Sequence, residues 1–442
     1  MISGKNILIL GAGKEGQSAA RYLTRTRTSL KIALADIQEK ECAVPKSIKL
    51  LLGSDYPKSL ASYDTVIVSP GIPPSTPLLR TARFITTSTN IFMEDCPGRV
   101  IGITGSKGKS TTASLIHHIL VTAGLPSYLV GNIGNPVIDA LGEDISSDTL
   151  FVTELSSYQT RLLEKGPFIA VVLNVFPEHM DYHGSVEQYY TDKLRITMVQ
   201  TSRDTVVYNQ HNAELVVRIH PSSAIKVPFP DPRRADARDG MVYLSRTPLL
   251  STSELPLPGE HNVGNVLAAI TVADLLSIPY KTIQTALQTF TPLPHRLQTV
   301  GVVSGVTYVD DAISTAPEST LAALKTIHPV GTLIVGGYDR GYDFTVLSKR
   351  IAHEQIPNLV LFPTSGSRIE AELDRLGYQP RILHTRSMKE AVRFAALYSP
   401  VGSVVLLSTA SPSYGVFKNF EDKGDQFQAC VRESINSRSV CG

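Results

Sequence analysis

The run Gly105-Ser106-Lys107-Gly108-Lys109-Ser110-Thr111 contains the residue types that a polyphosphate requires. It follows the apolar stretch Val100–Ile103 and precedes a helix-like Ser110–Thr122, so its backbone N–H groups can converge on phosphate oxygens at a helix amino terminus. Lys109 can then reach the β- and γ-phosphates of ATP, and Ser110 can ligate Mg2+. The run falls short of the full G-x-x-x-x-G-K-[ST] pattern, because position 103 is Ile rather than Gly.

Further along, Glu154-Leu155-Ser156-Ser157-Tyr158-Gln159 puts an acid at a strand end on the loop's side of the sheet. Such an acid either caps a helix or holds Mg2+ opposite the phosphates, and the neighbouring glycine loop favours metal. The polar run Asn174–His183 follows another buried strand and carries His179, a candidate for a second metal. Lys193 lies on the next helix and, taken alone, reads as a solvated surface lysine. A second glycine pattern, Gly11, Gly13 and Gly16, joins the strand Asn6–Leu10 to a helix-like Gln17–Thr24, with Asp36 ending the following strand. Alone it fits a dinucleotide fold, a turn that binds nothing, or a helix end holding a nucleotide or nucleotide-sugar; the last is preferred.

These residues need parallel sheets to position them, and the chain alternates strand-like and helix-like runs accordingly. Strands are expected at Asn6–Leu10, Lys31–Ala35, Thr65–Val68, Val100–Ile103, Leu150–Glu154 and Ile169–Asn174. Beyond the turn Thr291–Arg296 the alternation resumes, with strands at Thr307–Val309, Thr332–Val335, Leu359–Phe362 and Val404–Leu407. Pro221–Arg246 reads as loops and edge strands, and Val266–Leu276 as a helix. A length of 442 residues exceeds one ordinary core. The expectation is an α/β chain of three domains in series: a Rossmann-like 1–93, a P-loop ATPase 94–292 and a Rossmann-like 293–442.

The net charge of +2, without a long Lys/Arg block, gives no reason to expect a nucleic-acid partner. The four cysteines are scattered, which suits a reducing compartment better than a disulfide framework. Apolar runs such as Phe168–Leu173 are too short to cross a bilayer, and no signal peptide is apparent. A cytoplasmic protein without membrane association is expected.

Taken together, the motifs resemble those of the Mur ligases. Gly105–Thr111, Gly131-Asn132-Ile133-Gly134, Glu154–Gln159, Asn174–Asp181, Gly259–Asn262 with Asn265, and His295-Arg296 occur in that family's order. Ser69-Pro70-Gly71-Ile72 and Phe417-Lys418-Asn419-Phe420 narrow the resemblance to the MurD family, across essentially the whole chain. The resemblance implies a monomer that adds D-glutamate to UDP-N-acetylmuramoyl-L-alanine through an acyl phosphate, in peptidoglycan precursor synthesis. It also implies that the amino-terminal turn (Gly11, Gly13, Gly16, Asp36, Ser69, Gly71) holds the UDP end of the substrate rather than NAD. Asn132 would contact the muramoyl group, and Asn262 and Asn265 the adenine and its surroundings. Arg296 would meet the ATP phosphates and Asp311 the ribose. Ser110 and Glu154 would hold one Mg2+, while His179 and a carbamylated Lys193 would support a second.

Departures cluster around the incoming amino acid. The family's usual Asp-Ser-Lys-Ala-Thr-Asn run stands here as Asp311-Ala312-Ile313-Ser314-Thr315-Ala316, and the lysine expected after Gly336-Gly337 is Arg340. Lys107 stands where Asn is common. Thr315 and Arg340 remain able to clamp an α-carboxylate, and Ser413 with the Phe420 region the side-chain carboxylate. This pattern resembles a subfamily that adds L-glutamate, which is the alternative. A folylpolyglutamate-type ligase is a more distant rival, as are a nicotinamide-dependent oxidoreductase and a non-catalytic nucleotide switch.

Overall fold

The computed structural model describes residues 2–133, 135–142, 145–257 and 259–439. Gly134, from one of the motifs above, lies outside the described residues, as do the side chains of Asp181, Glu260 and His261. The chain forms two compact units, one of residues 1–257 with 261–290 and one of residues 258–260 with 291–442.

The first unit contains two parallel sheets. In spatial order the first sheet comprises Lys49–Leu52, Lys31–Asp36, Asn6–Leu10, Thr65–Val68 and Ile85–Thr86. The second comprises Ile225–Phe229, Thr205–Asn209, Ile169–Val172, Arg99–Thr104, Leu150–Glu154 and Ser127–Gly131. Central strands covered on both faces read as unbroken apolar runs: Ile7–Leu10 and Ile169–Val172 are buried throughout. Edge strands lack that signature. Lys49–Leu52, which the sequence reading passes over, is half exposed along its length.

The segment Pro221–Arg246, expected to hold loops and edge strands, contains Ile225–Phe229 at the edge of the second sheet and the strands Ala235–Arg238 and Met241–Leu244, which form an antiparallel sheet with Thr247–Ser251 beyond the segment. Two helices begin earlier than their apolar patterns suggest, at Lys14 and at Glu260. Residues of both parallel sheets share one apolar core, in which Ile9 and Leu34 join Val100 and Phe151. Polar contacts tie the same elements: Ser18 Oγ donates to Asp139 at 2.7 Å, and Arg25 donates to the Leu141 carbonyl at 2.8 Å.

The second unit has one six-stranded sheet in the order Gln298–Val303, Val306–Asp310, Val404–Leu407, Val330–Gly336, Asn358–Phe362 and Arg381–His384. All its pairs are parallel except the opening hairpin. The long helix Phe420–Ser439 follows the last strand in sequence.

Close approach at the first glycine turn makes a specific demand on residue type. A Cβ at Gly16 would lie 1.9 Å from the Gly11 carbonyl oxygen, which is backbone and cannot move aside cheaply. Gly16→Ala is therefore expected to lower stability by about 2 kcal/mol, within the usual cost of overpacking. Urea unfolding followed by circular dichroism checks this, and an unchanged midpoint would contradict it.

Candidate active site

Strand Arg99–Thr104 delivers the chain into the loop 105–108, and helix Lys109–Thr122 leaves it. Gly108 caps that helix at φ +88°, a left-handed conformation that favours glycine, and a Cβ there would lie 2.2 Å from Asn265 Oδ1. Asn265 in turn donates to Asn262 Oδ1 at 2.9 Å, so the structure brings both asparagines to the loop. Ser106 fixes the loop's inner side. Its N–H donates to the Asn174 carbonyl at 2.7 Å, and its hydroxyl contacts Phe176 O at 2.8 Å and the Tyr189 hydroxyl at 2.7 Å.

Three lysines gather here. Lys109 Nζ donates to the carbonyls of Gly105 and Ser106, each at 3.1 Å. Lys193 Nζ donates to the same Gly105 carbonyl at 2.9 Å. Lys193 is buried, not solvated; burial first, and the Lys109 charge second, push its ammonium pKa down to about 7. Lys107 pairs with Glu178 at 3.0 Å, a partner that sequence spacing did not suggest.

Glu154 ends the strand next to the loop's own strand, in register with Ile103. Its Oε1 accepts from Asn132 Nδ2 at 3.1 Å, and its backbone carbonyl accepts from Asn132 N at 3.0 Å. Its Oε2 is buried without a hydrogen-bond partner among the described residues. An orphaned carboxylate oxygen is costly unless something else satisfies it, and a divalent cation is a suitable partner. Among the described residues no three His, Cys, Asp or Glu side chains gather to hold a metal. A site completed by Ser110 and phosphate oxygens requires no such group.

His179 sits at φ +59° before the short helix Met180–His183, with its ring 5.2 Å from that of Tyr158. Sequence reasoning missed the chain of contacts behind it. Ser157 Oγ lies 3.0 Å from His183 Nε2, and His183 Nδ1 lies 2.7 Å from Asp192 Oδ2, all three residues buried. This chain links the segment after Glu154 to the helix carrying Lys193. Nine positions separate His183 from Asp192, and no spacing rule pairs them.

At the first sheet, Gly11, Ser69 and Asp36 meet at neighbouring strand ends. Ser69 Oγ donates to the Gly11 carbonyl at 3.1 Å, and Asp36 accepts from Ala12 N at 2.9 Å and pairs with Lys40 at 2.7 Å. Asp36 is thus engaged in holding its own turn. Gly13 and Gly71 face open space where a side chain would stand.

In the second unit, Thr315, Arg340, Ser413 and Phe420 line one cavity of about 190 Å³, together with Pro412, Tyr414 and Asn419. The Ser413 hydroxyl is buried and has no partner among the described residues. Asn419 was legible in the Phe417–Phe420 motif, and its Oδ1 accepts from Asp422 N at 2.8 Å, leaving its amide nitrogen as the donor. Arg296 and Asp311 are not part of this cavity lining. Asp311 is buried, accepting from Ser408 Oγ at 2.8 Å and from Leu297 N at 3.4 Å, and burial pushes its carboxyl pKa up to about 7.

Residues 5–88 match the family "Mur ligase MurD-like, N-terminal domain", and residues 103–273 match "Mur ligase middle domain". The chain is 36% identical to the UDP-N-acetylmuramoyl-L-alanine--L-glutamate ligase of Salinispora tropica, over 98% of each chain. It is 34% identical to the UDP-N-acetylmuramoylalanine--D-glutamate ligase of Symbiobacterium thermophilum, over 96% of this chain and 97% of that one. Among solved structures it is similar to the UDP-N-acetylmuramate-alanine ligase of Thermotoga maritima (TM-score 0.59, 16% identity, 97% and 99% covered). It is also similar to the MurF ligase of the same organism in complex with ADP (TM-score 0.59, 16% identity, 84% and 89% covered).

Proposed function

The chain belongs to the MurD family of the Mur ligases, which are ATP-dependent, ADP-forming amide ligases of three α/β domains, and we propose that it joins glutamate to UDP-N-acetylmuramoyl-L-alanine in peptidoglycan precursor synthesis. The observation that carries this reading is the pair of lysine nitrogens, from Lys109 and Lys193, on the Gly105 carbonyl, next to the strand that ends in Glu154. The alanyl carboxylate oxygen attacks the γ-phosphorus, the bond to the bridging oxygen breaks, and ADP leaves. The amine of glutamate then attacks the acyl carbon, the carbon–oxygen bond to phosphate breaks, and the amine gives up a proton. Both steps bring anions together, so neutralising and positioning them is the main task.

Lys109 is assigned to the γ-phosphate as charge moves from it. Ser110 and Glu154 would hold a Mg2+ ion, which draws charge from the phosphate oxygens when bound; the orphaned Glu154 oxygen supports this. Lys193, with His179, would serve a second ion as a carbamate, formed when its amine nitrogen bonds to CO2 and a proton leaves. The support is its surroundings: a carboxylate-like group there would lie near the ammonium groups of Lys109 and Lys107.

We assign residues 1–93 to the UDP end, 94–292 to ATP and 293–442 to glutamate. Gly11, Gly13, Gly16, Asp36, Ser69 and Gly71 take the uridine nucleotide, and Asn132 the muramoyl group. Gly105–Thr111, Asn262 and Asn265 take ATP. Arg296 and Asp311 join them on the family resemblance alone. Thr315, Arg340, Ser413 and Phe420 take glutamate, supported by the cavity they share. The enzyme is proposed to act as a cytoplasmic monomer; no described helix is long and apolar enough to cross a membrane.

D-glutamate is the first reading. Two observations favour L-glutamate: the relatives at 36% and 35% identity carry L-glutamate in their names, and Ile313 replaces the lysine of the usual run. Phosphate release with UDP-N-acetylmuramoyl-L-alanine, ATP, Mg2+ and either enantiomer decides between them.

In that assay Lys109→Ala is expected to lose at least about 10²-fold in kcat while its melting curve is unchanged, and EDTA is expected to stop the wild type. Near-normal turnover of the variant would overturn the ligase proposal. Lys193→Ala is expected to be inactive and to regain part of its activity with millimolar acetate or formate. Full activity without rescue would exclude the carbamate.

A further inference from the structure

Lys423 is almost wholly buried, although it lies in the first turn of the helix Phe420–Ser439, close to pocket-lining Asn419 and Phe420. Burying an ammonium group is expensive, so its surroundings should indicate what it is for. Burial pushes its ammonium pKa down to about 7, and the Asp310 and Asp311 carboxylates oppose that shift and favour the charge. Its nitrogen donates to the Thr409 hydroxyl oxygen at 2.6 Å. That hydroxyl has one proton, and two carbonyls lie within its reach: Ser314 O at 3.2 Å and Ser411 O at 3.0 Å.

The chemistry of the hydroxyl makes this arrangement directional. As an ammonium, the lysine is only a donor, so it occupies a lone pair of Thr409 and leaves the proton to face the two carbonyls. Ser314 precedes Thr315, and Ser411 stands two residues before Ser413, so both carbonyls belong to segments that line the amino-acid cavity. The third wall is tied to the same place. Gly336 N donates to the Thr409 carbonyl at 2.8 Å, and Tyr338 N donates to Pro412 O at 2.9 Å, which fixes the loop that carries Arg340.

We infer that Lys423 is a positioning residue for the incoming amino acid, acting through Thr409 to set the spacing between the Thr315 and Ser413 walls of the cavity. It does not touch the substrate. Its loss lets the Thr409 hydroxyl rotate and the two segments separate, which weakens a site for a dicarboxylic amino acid and spares the phosphate loop. The inference rests on the assignment of this cavity to glutamate.

The test measures KM for glutamate (the better-used enantiomer), for ATP and for UDP-N-acetylmuramoyl-L-alanine, alongside kcat, in full-length Lys423→Met, Thr409→Val and Thr409→Ser. Lys423→Met and Thr409→Val are each expected to raise KM for glutamate about tenfold, with the other two KM values within about twofold of wild type. Thr409→Ser, which keeps the hydroxyl, is expected to behave as wild type. The double variant should be no worse than Lys423→Met, because the two side chains act in series. An unmoved KM for glutamate, or an equal rise for all three substrates, overturns the inference. If Lys423→Met does not fold by its melting curve, Thr409→Val alone decides by the same criteria. Wild-type enzyme that shows no turnover with glutamate overturns the ligase proposal and this inference together, whereas a working wild type with unmoved variants overturns this inference alone.

Discussion

One carbonyl oxygen, that of Gly105, accepts hydrogen bonds from two ammonium groups, Lys109 at 3.1 Å and Lys193 at 2.9 Å. Their nitrogens therefore lie within about 6 Å of each other, and at an effective dielectric constant of about 20 they repel by about 3 kcal/mol. A folded chain accepts that cost only if other terms offset it, and here the elements around the loop do so. Ser106 is fastened by hydrogen bonds to Asn174, Phe176 and Tyr189, and the lysine-bearing helix is anchored through Asp192 and His183. While Lys193 is still an ammonium, before the carbamate proposed for it forms, the result is a concentration of positive charge that a polyphosphate relieves. Anion binding and the depressed ammonium of Lys193 are two consequences of the same burial.

The parallel sheet turns this local arrangement into a site. Because neighbouring strands run the same way, the loop after Thr104, the carboxylate of Glu154 and the segment after Leu173 emerge at one sheet edge. The cation cluster and the acid with an unsatisfied oxygen thus share that edge without any long-range folding device. The second unit repeats the principle: Gly336, which ends one strand, and Thr409, just beyond the end of its neighbour, are joined by a backbone hydrogen bond, and the cavity residues follow from there. In both units the residues assigned to ligand are placed by strand ends, and buried polar contacts lie behind them.

Much of this was legible in the chain because it depends on local order. A glycine loop between an apolar strand and a helix, and an acid closing a later strand, are patterns along the sequence, and so are the buried strands themselves. What was not legible depends on partners far apart in sequence. Lys193 reads as a surface lysine until the fold buries it beside Gly105, 88 residues away. Asp36 stands where a ribose-binding acid is expected, yet only the structure shows it engaged by Ala12 and Lys40. The strand Lys49–Leu52 escaped notice because an edge strand need not be apolar throughout. Lys423, in a charged helical run, gave no sign that it would face a threonine from another strand end.

If ATP held at the loop 105–110 passes its γ-phosphate to a carboxylate, as proposed, the oxygen atoms report this directly. UDP-N-acetylmuramoyl-L-alanine labelled with oxygen-18 in its alanyl carboxylate would be turned over with ATP, Mg2+ and glutamate, and the released phosphate analysed by mass spectrometry. An acyl phosphate requires one carboxylate oxygen to leave with the phosphate, so each phosphate should carry one labelled atom. Phosphate released without the label, while amide product accumulates, would contradict the account.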